Sequence, residues 1–131
     1  MARILAVAET RDGSLRKVSD EVVSAARSVA ESIGGEVDAL VFGPAGVSTH
    51  AGALGKFGAA RVLIGESDAL QFYSPDVAAQ LVADTANSGD YFAVLFAASS
   101  TGKDLAPRVA AKLDVPLAAD ATALQHDGGE L

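Results

Sequence analysis

The sequence predicts an α/β domain, a doubly wound and mostly parallel sheet with helices on both faces. Three observations carry that expectation. Short apolar runs without alternation, such as Arg3–Ala8 and Tyr91–Ala97, read as strands buried on both sides. Between such runs lie segments whose apolar residues recur every three or four positions, the spacing of a helix with one buried stripe. The regular alternation of the two implies right-handed crossovers, which a parallel sheet covered on both faces accommodates. At 131 residues the chain has the size of one domain, with no linker, repeat or low-complexity segment.

The first strand, Arg3–Ala8 (RILAVA), ends in a polar loop, Glu9–Ser14. From Ser19 onward, Val22, Val23, Ala26, Val29, Ala30 and Ile33 form one helical stripe. Asp20 and Glu21 complement the helix dipole in its first turn, and Gly34 with Gly35 supplies a left-handed stop. Val37–Phe42 is a second strand closed by Gly43 and Pro44, and a short helical stretch over Ser48–Phe57 leads to a third at Arg61–Ile64.

Pro75 suits the first turn of the next helix, with Ser74 as its cap and Ala78, Leu81, Val82 and Thr85 on its buried face. Tyr91–Ala97 is the most apolar strand and is expected at the centre of the sheet. The helix after it turns Leu105, Val109 and Leu113 inward, and Pro107 requires that helix to start near Asp104 or to kink. Ala121–His126 reads as a further strand, and Asp127–Gly129 as a hairpin turn with only Glu130 and Leu131 left to return. The chain is therefore expected to be a piece of a longer polypeptide, truncated in a C-terminal hairpin.

Composition excludes several classes. There is no cysteine, hence no disulfide, thiolate metal site or cysteine nucleophile. Two distant histidines, His50 and His126, make neither a structural zinc site nor a triad. The net charge of −7, with basic residues scattered, lacks the footprint of a nucleic-acid binder. No apolar run is long enough for a membrane span, and Met1 reads as the start of a cytoplasmic bacterial protein without a signal or transit peptide.

In a doubly wound sheet ligands sit beyond the carboxyl ends of the strands, which directs attention to Glu9–Ser14, Gly43–Gly46, Gly65–Asp68 and Ser99–Gly102. The last is the richest. Ser99, Ser100, Thr101 and Gly102 can offer hydroxyl and backbone donors to a phosphate or carboxylate ahead of a helix, or Ser100 and Thr101 can simply satisfy the helix start and the strand exit. Gly102-Lys103 is not a phosphate-binding P-loop, because Ala97 stands where that motif needs glycine and Asp104 where it needs a hydroxyl. Gly52, Gly55 and Gly65 reproduce the glycine spacing of ATP-binding universal stress proteins, but Glu66 replaces the hydroxyl that follows. Phe72 and Tyr73 can stack on a ring or pack on the core. No carboxylate pair can be assigned to acid and base roles, and no catalytic or metal-binding residue emerges.

Phe96–Leu124, FAASSTGKDLAPRVAAKLDVPLAADATAL, closely resembles the electron transfer flavoprotein α-subunit family, with Gly102, Lys103, Leu105, Pro107, Arg108, Ala110, Ala111, Leu113 and Asp120 on the family pattern. Ile4–Glu9, Gly13–Leu15 and Gly34–Gly43 resemble the way that family opens. The resemblance implies that residues 1–131 are the amino-terminal domain, of adenine-nucleotide α-hydrolase-like fold, and that a FAD-binding carboxy-terminal domain lies outside this chain. It implies an αβ heterodimer that accepts electrons from acyl-CoA or other dehydrogenases on FAD and passes them to a membrane-linked oxidoreductase. In such a carrier this domain is scaffold and β-subunit interface, and AMP is expected in the partner subunit. Separated from that partner, the chain is expected to expose apolar surface and to self-associate. The second class left open is a freestanding nucleotide-binding module of the universal-stress-protein type.

Overall fold

The structure, a computed structural model, describes residues 3–11, 14–67, 70, 74–89, 91–97 and 99–114. Strand β1 (Arg3–Val7) runs into a small antiparallel hairpin, β2 (Thr10–Arg11) and β3 (Ser14–Leu15), and then into helix α1 (Val18–Ile33). Strand β4 (Glu36–Gly43) follows, then a 3₁₀ turn at Val47–His50 and helix α2 (Ala51–Phe57). Strand β5 (Arg61–Glu66), helix α3 (Pro75–Gly89), strand β6 (Ala93–Phe96) and helix α4 (Ser100–Leu113) complete the described chain. The four long strands form a parallel sheet in the order β5-β4-β1-β6.

Alternation along each strand divides the core in two. Ile4 and Ala6 of β1, Val37, Ala39 and Val41 of β4 and Leu95 of β6 face α1, whose Val22, Val23, Ala26, Val29 and Ala30 are all buried against them. Leu5, Val7 and Leu40 face the other way, against Ala78, Ala79, Val82, Ala83 and Ala86 of α3 and Leu105 and Val109 of α4. The small side chains of α3 let it lie close to the sheet. Gly65 serves the same approach: a Cβ there would meet Leu81 Cδ2 at 2.8 Å. The sheet is therefore doubly wound, as expected.

The helix stop at Gly34 is as expected too, with φ +70° and its N–H turned back to the carbonyls of α1. Three details depart from expectation. The Tyr91–Ala97 strand stands at one end of the described order, and β1 and β4 hold the centre. Apolar content reports cover on both faces, which α1 and α4 give to β6, and it does not count neighbours. Of the two arrangements expected around Pro107, a start near Asp104 is not found: helix α4 begins at Ser100, capped by Ser99, and carries Pro107 inside it. The third strand continues to Glu66. Ala121–His126, the Asp127–Gly129 turn, Phe72 and Tyr73 lie outside the described residues.

Candidate functional site

A crevice opens at the carboxyl end of the sheet for a topological reason. Neighbouring strands β1 and β6 lead to helices on opposite faces, α1 and α4, so the connections part between them. The cavity measures about 370 Å³. It gathers Glu9, Thr10 and Arg11 after β1, Pro44 after β4, and Thr101 and Gly102 after β6, which are three of the four segments that sequence reasoning named. Phe42 and Phe96 form an apolar wall, and Arg16 and Ser74 contribute polar atoms.

Glu9 dominates the polar side of this crevice. Its side chain is only 8% exposed, and the Ser99 hydroxyl donates to its carboxylate, 2.6 and 2.8 Å from the two oxygens. Arg16 approaches the same carboxylate, with Nη1 3.6 Å from Oε2. The backbone is pinned as well: Ser19 Oγ donates to the Glu9 carbonyl at 3.0 Å and accepts from the Glu9 N–H at 2.8 Å. A hydroxyl inside the first turn of α1 thus holds the end of β1, which explains why Ser19 is fully buried on an otherwise apolar stripe.

The same Ser99 oxygen accepts from the Gly102 N–H at 3.0 Å, so it caps α4 while it donates to Glu9. Of the four residues read as an anion turn, Ser99 is committed on both sides, Ser100 is exposed, Thr101 is half-buried and Gly102 is buried. The carboxylate of Glu9 therefore stands before the amino end of α4, where the helix dipole favours a negative charge. A phosphate entering there would meet that carboxylate, so these residues do not fit a nucleotide phosphate as they stand. We expect Ser99→Ala to cost about 1–2 kcal/mol, since it removes a cap and a donor to a buried charge together; urea unfolding measures it, and a loss below a few tenths would deny the cap its role.

The remaining candidates separate. Gly52 and Gly55 lie within helix α2 and Gly65 within strand β5, so the glycine spacing forms no loop around a phosphate. Lys103 lies within α4, and His50 ends the 3₁₀ turn. His126 is outside the described residues, among which no group of histidines and carboxylates could hold a metal.

Sequence reasoning missed a second polar centre, toward the amino ends of the strands. Asp38 of β4 is fully buried and accepts from Arg3 Nη1 at 2.9 Å, from Arg61 Nη2 at 2.5 Å and from the Tyr91 hydroxyl at 2.7 Å. Burial pushes the Asp38 carboxyl up, but hydrogen bonds from Arg61 and Tyr91 and the charges of both arginines outweigh it and hold it below the usual carboxylate range. The Tyr91 phenol is pushed up to about 12, by burial first and then by its bond to the Asp38 carboxylate. Arg61 is held charged by the same partner. The cluster ties β1, β4 and β5 to the segment entering β6. The signal for it was present: an aspartate inside the apolar run VDALVF, in register with Arg61 on the next strand.

Fold and crevice together define a class, a doubly wound α/β domain with a parallel sheet whose own carboxylate occupies the head of its switch-point helix. The profile of the electron transfer flavoprotein domain matches residues 4–131. The chain belongs to the electron transfer flavoprotein domain family. It is 36% identical over 128 residues to protein FixB of Clostridium saccharobutylicum, covering 95% of this chain and 37% of that one. It is 40% identical over 123 residues to the electron transfer flavoprotein subunit alpha of Syntrophomonas wolfei, covering 93% and 37%. It is 33% identical over 119 residues to the acryloyl-CoA reductase electron transfer subunit beta of Anaerotignum propionicum, covering 91% and 32%. The chain thus spans about a third of the length of these curated relatives.

Proposed function

We propose that this chain is the amino-terminal domain, residues 1–131, of an electron transfer flavoprotein α-subunit. Its role is structural: scaffold and interface for a β-subunit in an αβ heterodimer. The whole carrier takes electrons from acyl-CoA or other dehydrogenases onto FAD and delivers them to a membrane-linked oxidoreductase. The observation that carries this reading is the family match across residues 4–131, with relatives named as electron transfer subunits.

FAD belongs to a carboxy-terminal domain outside this chain, and AMP to the partner subunit. The self-satisfied crevice supports that division, because Glu9 and Ser99 leave the head of α4 without an open phosphate cradle. Ser99–Gly102 acts as a cap rather than as an anion site. The domain is a carrier's framework and not a catalyst, and the carrier works in the bacterial cytoplasm. No helix among the described residues is long and apolar enough to cross a membrane.

The universal-stress-protein reading has less support, since its glycines sit in a helix and a strand. The protein isolated from its native source is expected to be a longer chain, yellow with flavin, that co-purifies with a second subunit. A colourless protein without a second subunit that binds ATP saturably would reverse the choice.

A further inference from the structure

The chain is acidic, with a net charge of −7, yet two guanidiniums, Arg11 and Arg16, line the crevice beside the single carboxylate of Glu9. That carboxylate is turned inward: it is nearly buried, Ser99 donates to it, and the amino end of α4 before it offsets roughly half a charge. The arginines are the accessible charges. Arg11 is exposed on β2, and no described carboxylate pairs with it. Arg16 comes no nearer to Glu9 than 3.6 Å, too far for a hydrogen bond, so its donors are not committed to that partner. The hairpin register sets Thr10 opposite Leu15 and Arg11 opposite Ser14, and the Arg16 N–H donates to the Glu9 carbonyl one step earlier. Arg11 and Arg16 are therefore diagonal neighbours on one face of the hairpin, a separation that long side chains span. We propose that the crevice binds a small free monocarboxylate with a flat apolar body, such as an aryl carboxylate, held by Arg11 and Arg16.

Each part of that ligand answers a feature of the crevice. A guanidinium presents its donors in a planar fork that matches a carboxylate, and two such forks neutralise one negative charge with one positive charge to spare for Glu9. A phosphate asks for more. It carries a second charge and needs the backbone donors at the head of α4, which Glu9 and Ser99 already occupy. The apolar body meets Phe42 and Phe96, which stand on the two strands that flank β1 and pack toward the same face of the sheet. Aromatic rings so placed receive a flat ring by stacking or edge contact. A cavity of about 370 Å³ is of the size that encloses a whole small molecule. For a ligand of so few atoms the dissociation constant is expected on the order of 1 mM.

Titration of the isotope-labelled protein with benzoate, followed by amide NMR shifts, tests the site. Saturable shifts gathered at Glu9–Arg11, Arg16 and Phe96 are expected. Benzamide, with the same ring and no charge, is expected to bind at least about tenfold more weakly, and inorganic phosphate is expected not to displace benzoate. Arg11→Ala and Arg16→Gln are each expected to weaken benzoate about tenfold, the loss of one charge-assisted contact. Arg11 lies exposed on the hairpin, so its variant keeps the test decisive even where Arg16→Gln loosens the segment before α1. No saturation below about 20 mM benzoate overturns the inference, being more than tenfold beyond the expected constant. Shifts centred away from the crevice overturn the site. Benzamide binding as well as benzoate, or benzoate indifferent to Arg11→Ala, overturns the role of the arginines, and displacement by phosphate overturns the choice of a monocarboxylate. None of these outcomes bears on the carrier reading, which rests on the family match.

Discussion

Gly102→Ala is expected to destabilise the protein by at least about 3 kcal/mol, a large effect for a single methyl group. A Cβ at this position would lie 1.9 Å from the Ala97 carbonyl oxygen and 3.0 Å from the Ala97 carbonyl carbon. Those are backbone atoms at the end of β6, where no flexible side chain can swing aside. Relief requires α4 to withdraw from the strand, which breaks the Gly102 bond to Ser99, loosens Ser99 from Glu9 and lifts Leu105 from the core. The backbone torsions of Gly102 do not demand glycine; the space does. Gly52→Ala makes the control. Gly52 sits inside α2 with nothing within 4 Å of a built Cβ, so the same change there is expected to stabilise by up to about 1 kcal/mol. Urea unfolding of both variants should give shifts of opposite sign. Equal and small shifts would mean that α4 does not seat on Ala97 as described.

Asp38→Ala is the second large effect, expected at about 3 kcal/mol. Removing one partner of a buried ionic cluster leaves the others without an acceptor. The loss stays at the lower end of that range because the Arg61 side chain is 53% exposed and can turn to water. The cluster also writes two pH limits. The folded Asp38 carboxyl lies below its ordinary value, so its contribution is present above pH of about 4 and is lost as pH falls through the folded value. Tyr91 works in the opposite sense. Its folded value of about 12 lies above the ordinary 10.0, so its contribution is complete below the ordinary value and is lost as pH climbs to the folded one. Tyr91→Phe should flatten the alkaline slope of stability and Asp38→Asn the acid slope. Unchanged slopes in both variants would remove the cluster from the pH response.

Much of the fold was legible because it rests on periodicity. The stripe from Val22 to Ile33 of α1 and the βαβ alternation need only apolar spacing, and the structure follows them. What was illegible depends on partners far apart in the chain. The centre of the sheet turns on which strands flank β1, and β6 carries no local mark of its place at one end. Pro107 pointed to a helix start near Asp104 or to a kink, because the bonds that hold Ser99 between Glu9 and Gly102 are not visible in the sequence. Of the four loop segments that the switch-point rule singled out, three line the crevice. Glu9 itself was not, since a carboxylate after a strand reads as an ordinary loop residue until its burial is seen. Asp38 was passed over inside an apolar run for the same reason.

The pairing of β1 with β6 has a consequence in time. Ile4 sits beside Ala93 in the sheet, and Ser99 reaches Glu9 across a separation of 90 residues. During synthesis β1 leaves the ribosome first, yet one of its flanks has nothing to pair with until β6 follows. At ordinary rates of elongation that delay is roughly 5 to 20 s. For that interval the strand that becomes an interior strand of the sheet is a bare edge, apolar from Ile4 onward. The nascent chain is then most exposed to mispairing, and the stretch from which a chaperone gains most is Ile4–Ala8.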